Sequence, residues 1–136
     1  MRESKGITNL GRLLREMTPH LVNKKFVFCT LAEENLKKIN LAPLLLFKEE
    51  EGITIIVEKE IADSASLSYS EVWALITLSV HSDLSAVGFL AAITKKLAKA
   101  GISINVVSAY YHDHLFVPAS LAKKAMLKLK ELSNGA

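Results

Sequence analysis

The stretch Val72–Pro118, VWALITLSVHSDLSAVGFLAAITKKLAKAGISINVVSAYYHDHLFVP, decides the fold. Val72 to Val80 is an apolar, partly β-branched run and reads as a buried strand. His81-Ser82-Asp83 interrupts it with polar residues. Ala86, Leu90, Ile93, Leu97 and Ala100 then recur at helical spacing and mark one face of a helix. Lys95, Lys96 and Lys99 lie off that stripe near the helix end, where cations suit the macrodipole. Gly101 is the expected stop. Ile102–Ala109 and His114–Val117 read as two more strands, joined through Tyr111-His112-Asp113. Pro118 suits the first turn of a closing helix, striped by Leu121, Ala125 and Leu129.

The first half repeats this order in weaker form. Leu10, Leu13, Leu14 and Met17 line one side of a leading helix, capped by Thr8 or Asn9 and stopped before Pro19. Lys25–Thr30 reads as a strand, Glu33–Lys38 as a helical turn, and Leu44–Phe47 and Ile53–Glu58 as strands around the turn Lys48–Gly52. A helix over Lys59–Ser66 follows. Strand, helix, strand, turn, strand, helix thus occurs twice, without a low-complexity linker. The reading is an α+β, ferredoxin-like chain of two βαββα units with antiparallel sheets covered by helices. The halves are residues 1–70, with the leading helix, and 71–136. Both faces of Val72–Val80 and Phe26–Leu31 are largely apolar, so a further layer is expected on the face without helices, either from this chain or from a second copy.

Composition narrows the function. The chain has 136 residues, half of them hydrophobic and 23% charged, which excludes wholesale disorder. A single cysteine, Cys29, excludes an intrachain disulfide and fits a reducing compartment. The net charge of +3 is too mild to argue for nucleic acid. The opening residues Met1-Arg2-Glu3-Ser4-Lys5-Gly6 carry both signs of charge and lead into no apolar leader, so a cytoplasmic location is expected. Val72–Thr94 is apolar enough to suggest a membrane helix. That would place Asp83 near mid-bilayer at about 2.5–3.5 kcal/mol. The change of character at His81-Ser82-Asp83 favours strand, turn and helix instead, with no membrane partner.

Few residues point to catalysis. No Gly-x-Ser-x-Gly elbow, P-loop or Gly-x-Gly-x-x-Gly motif occurs. Cys29 sits in an apolar strand, where a neutral buried thiol is the default. Glu49-Glu50-Glu51 reads as a solvated turn, and the lysines of the two late helices as solvated faces. Tyr110, Tyr111 and Phe116 could stack on RNA bases, but the sequence pattern of that interface is absent. His112-Asp113-His114 places two imidazoles on one side of an extended segment. This allows a metal-dependent enzyme, against the plainer reading of a polar hairpin tip. A structural site would want four ligands, and no other His or Cys cluster is present.

The strand-to-helix turn Ser82–Phe89 carries more. Ser82, Asp83 or Ser85 can cap the helix, the N–H groups at its start suit a carboxylate, and Gly88 allows close approach. Val80 to Gly88, the helix end Leu97-Ala98-Lys99-Ala100-Gly101-Ile102 and the strand with Asn105 together resemble the ACT-domain pattern. Five positions separate Asp83 from Gly88, a longer turn than the usual Asp-x-Pro-Gly, and it lacks the proline. Phe26–Thr30, Phe47–Gly52 and Ala109–Pro118 resemble small stand-alone tandem ACT-like proteins, and the likeness runs from Asn9 to Leu132. The resemblance implies a non-enzymatic regulatory or sensor module that binds an amino acid or similar metabolite at an ACT-type interface. The doubly apolar strands add the expectation of a homodimer, and no cofactor or metal is expected. Carried onto this chain, the ligand-binding residues are Asp83, Leu84, Ser85, Ala86, Val87, Gly88 and Phe89 in the turn, with Asn105, Tyr110, Tyr111, His112, Asp113 and His114 on the neighbouring strands and tip. A protein-interaction domain without a small ligand is the other alternative.

Overall fold

A computed structural model describes residues 6–38 and 40–136; Met1–Lys5, read above for a leader, lie outside them. The order is α1 (Leu10–Glu16), β1 (Pro19–Leu31), α2 (Glu33–Lys38), β2 (Leu45–Lys48), β3 (Ile53–Glu58), α3 (Lys59–Ser64), β4 (Trp73–Leu78), α4 (Phe89–Lys99), β5 (Asn105–Ser108), β6 (Asp113–Pro118) and α5 (Ala122–Asn134). A 3-10 turn, Ala119–Leu121, precedes α5, so Pro118 ends a strand rather than opening the helix. These elements form two compact units, Asn23–Trp73 and the pair Met1–Val22 with Ala74–Ala136.

In the Asn23–Trp73 unit the strand order is β2-β3-β1, with both pairings antiparallel. Alternation along the strands divides their side chains between two faces. Val27, Cys29, Ile53, Ile55 and Val57 pack with Ala62 of α3 in one core, while Phe26 and Ile56 are buried outside it. Phe28 meets Trp73 edge-on at 5.8 Å between ring centroids. The doubly apolar strands are therefore present. The Glu49 N–H donates to Gly52 O (2.9 Å) and closes the β2–β3 turn. Helix α2 has only six residues.

In the other unit the order is β4-β6-β5. Ala74, Ile76 and Leu78 of β4 join Ile93 and Leu97 of α4, Leu115 and Val117 of β6 and Ala125 and Leu129 of α5 in the larger core. Leu75 and Phe116 are buried outside it. Asn9 caps α1, its side chain accepting from the Arg12 N–H (2.9 Å). Leu13 and Met17 are fully buried in this same core, and Ser133 of α5 donates to Arg15 O. Helix α1 thus packs with the C-terminal helices α4 and α5.

Helix α4 starts at Phe89, later than the apolar stripe from Ala86 indicates, because Asp83–Ala86 forms a separate turn. Its end is a Schellman motif. The Ile102 N–H donates to Leu97 O, the Gly101 N–H to Ala98 O, and buried Ile102 accompanies buried Leu97. Gly101 has φ 75°, and a Cβ there would meet nothing within 4 Å. Its requirement is conformational alone. Gly101→Ala should lower the unfolding free energy by about 1–2 kcal/mol, read as a fall in the urea midpoint at unchanged m-value.

Candidate functional site

The site is built on the connection from β4 to α4. Asp83 Oδ1 accepts from the Ser85 N–H (2.9 Å) and from the Ser85 hydroxyl, while the Ala86 N–H donates to Asp83 O (2.9 Å). Asp83 therefore stabilises its own turn and does not cap the helix. Gly88 is the N-cap residue, with φ 89°, and Ala92 N–H donates to its carbonyl. The nearest atom to a Cβ at Gly88 would be Leu10 Cδ2, at an ordinary 3.6 Å. Left-handed backbone alone calls for glycine here, and no protein backbone crowds the position. Buried Phe89 anchors the first turn of α4 in the core. Among the described residues, no protein group accepts from the N–H groups of Phe89, Leu90 or Ala91. These carry the positive end of the helix macrodipole.

The opposite wall comes from the β5–β6 hairpin. The loop is Ala109–His112, closed by Ala109 N–H to His112 O (3.0 Å). Strand β6 begins at Asp113, which pairs with Ser108. Asp113 is therefore not part of the polar tip. It is 5% exposed, and its Oδ2 accepts from the Ser82 hydroxyl at 2.8 Å. Ser82 is buried as well.

A hollow of about 130 Å³ lies between these walls. Of the residues singled out in the sequence, Asp83, Leu84, Ala86, Gly88, Phe89 and Asp113 line it. Ser85, Val87, Asn105, Tyr110, Tyr111, His112 and His114 do not. Asn105 stands at the far end of β5 from the lining residue Ser108, about 10 Å along the strand. Ser82, Leu90, Ala91 and Ser108 also line the hollow and were not among the expected contacts. In sequence Ser82 reads as a turn residue or a cap. Ser108 could have been found by pairing the strands across a four-residue loop. The volume is well below the roughly 300–1,000 Å³ of pockets for drug-sized ligands, so a small molecule is what fits. One side offers backbone donors and the other a carboxylate.

The exposed rim is apolar and aromatic. Leu84, Val87, Tyr110 and Tyr111 are all more than half exposed. Tyr111 lies 5.3 Å from the His81 ring and 4.9 Å from Tyr110 between centroids. His112 and His114 do share a side, with rings 6.4 Å apart, but Asp113 turns the other way to Ser82. Among the described residues no three of His, Cys, Asp and Glu gather as a metal-binding group. Cys29 is buried, and burial pushes its thiol above the ordinary value, which disfavours the nucleophilic thiolate. No helix among the described residues is long and apolar enough to cross a membrane.

His114 Nδ1 lies 3.0 Å from Thr77 Oγ1. Partial burial holds its pKa below the ordinary 6.5, the nearby His112 adds to the lowering, and Asp113 opposes it. The unfolded chain then binds a proton more readily than the folded one, so stability falls as the pH drops below the ordinary histidine value. Wild type should lose more stability between about pH 7.5 and about pH 5.5 than His114→Gln, measured as urea midpoints across that range.

Two family models, each described as an ACT domain, match the chain in tandem, at residues 5–74 and 68–131. No curated protein matches the sequence. A crystal structure from Vibrio cholerae, a protein of unknown function described as a "possible transport protein", is 44% identical. That match covers 91% of this chain and 95% of that one, with a TM-score of 0.82. Protein Atu0741 from Agrobacterium tumefaciens is 16% identical, with 85% and 87% of the two chains covered and a TM-score of 0.65. The ligand-free regulatory subunit of aspartate kinase from Thermus thermophilus is 12% identical, with 86% and 97% covered and a TM-score of 0.66. At such identities the last two speak for the fold alone. The tandem family matches and the α+β, ferredoxin-like architecture agree, and the chain belongs to the ACT-domain family.

Proposed function

We propose that this protein is a non-enzymatic regulatory module that binds a small amino acid, or a metabolite of similar size and charge, in the hollow between the α4 turn and Asp113. Family membership supports the regulatory, small-molecule part of the reading. The observation that carries the ligand class is the pairing of opposite charges across one small hollow. The N–H groups opening α4 suit a carboxylate. Asp113, buried beside the same hollow, suits an ammonium group. A ligand with both groups satisfies both walls.

In chain order the binding half is the second of two ACT-type halves, residues 71–136; the first, residues 1–70, lends its leading helix α1 to the same compact unit. The first turn of α2 in the first half carries Glu33 and Glu34, which repel an incoming carboxylate, whereas the first turn of α4 carries no acidic residue. The exposed Leu84, Val87, Tyr110 and Tyr111 beside the hollow favour a homodimer in which a second copy covers the ligand. The module acts in the cytoplasm, without cofactor, metal, nucleic acid or membrane.

Melting curves recorded with each proteinogenic amino acid in turn test this. One of them should stabilise the wild type, by about 2.7 kcal/mol at a hundredfold excess over Kd. Asp113→Asn should weaken that ligand at least roughly tenfold by removing the charge that faces the ammonium. A panel that leaves the wild-type curve unmoved removes the reading.

A further inference from the structure

The segment before α1 reaches back to the turn that lines the hollow. Ile7 and Ser82 form a parallel β-bridge. The Ile7 N–H donates to His81 O at 2.7 Å, and the Asp83 N–H donates to Ile7 O at 3.0 Å. The Ile7 side chain packs against the larger core, which fixes the depth of the bridge. Gly6 lies so close to the turn that a Cβ on it would stand 2.6 Å from Asp83 Cα and Ser82 C and collide with Asp83 N. Atoms of the backbone cannot swing aside as a flexible side chain would, so only glycine fits. Leu10, at the start of α1, holds the atom that a Cβ on Gly88 would meet, at the other end of the same connection.

We propose that Gly6 and Ile7 are positioning residues for the ligand turn. They act through Ser82 and Asp83. The bridge holds the Ser82 backbone, and the Ser82 hydroxyl holds the Asp113 carboxylate at the hollow. It also holds Asp83, whose side chain and carbonyl shape the turn that leads to Gly88 and the free amides of α4. One contact outside the hollow thereby sets both of its charged walls. This deepens the amino-acid reading above and rests on it.

Amide hydrogen exchange without ligand tests the clamp directly. In the wild type the Ile7 and Asp83 amides should share one level of protection, since one opening breaks both bonds. An Ile7 amide exchanging at an unprotected rate overturns the proposal without any variant. In Gly6→Ala the hydrogen-bonded amides of Asp83, Ser85 and Ala86 should exchange roughly tenfold faster or more, while those of Ile93 and Leu97 in α4 keep their protection. Unchanged exchange at the turn, or equal acceleration throughout the core, overturns it. Melting curves with the amino-acid panel then separate the two claims. An amino acid that stabilises the wild type should stabilise Gly6→Ala less, and equal stabilisation with a loosened turn sinks the clamp. A wild type that responds to no amino acid removes the ligand reading, while the exchange data still decide whether Gly6 and Ile7 hold the turn.

Discussion

The hydrogen bond from Ser82 to Asp113 joins two segments that the chain order keeps apart, the exit of β4 and the start of β6. Both residues are buried, so neither finds a ready substitute in water. A buried carboxylate that lost this donor would bear most of its desolvation cost, about 1–3 kcal/mol or more for a charged group. The bond therefore constrains the loop as much as the loop constrains the bond. Around it are arranged the Asp83 turn, the left-handed Gly88, the free amides of α4 and the Gly6–Ile7 bridge.

The strongest elements were legible because their patterns are local. The stripe through Leu90, Ile93 and Leu97, the stop at Gly101 and the cap at Asn9 each depend on residues within one or two turns of helix. The apolar strands are equally plain, and of the doubly apolar run Phe26–Leu31 the residues Phe26, Val27 and Cys29 are buried, while Phe28 and Leu31 are half-buried and Thr30 is exposed. The order of elements then led to the ferredoxin-like class.

What escaped was register and distance. Asp113 follows three polar or aromatic residues and reads as part of a tip. Once β6 takes it in, strand alternation shifts its side chain to the face opposite its histidine neighbours. That shift separates it from His112 and His114 and takes it to Ser82. The helix start was misplaced for a related reason. Ala86 fits the helical spacing, but Asp83 offers a local turn that competes with the helix. Gly6 carried no readable signal at all, because its need for a bare Cα arises from Ser82 and Asp83, which are remote in sequence. The leading helix α1 was recognised from its own residues, but its packing partners α4 and α5 were not.

The six-residue length of α2 bears on how a duplicated chain divides its labour. Two halves of like architecture would ordinarily promise two equivalents of ligand per polypeptide. On the proposed amino-acid reading, the six described residues of α2 align fewer peptide dipoles than the eleven of α4, so the first half would hold an anion less firmly than the second. Two equivalents taken up by one chain would then differ in affinity, and a two-step titration would distinguish them from two equal sites.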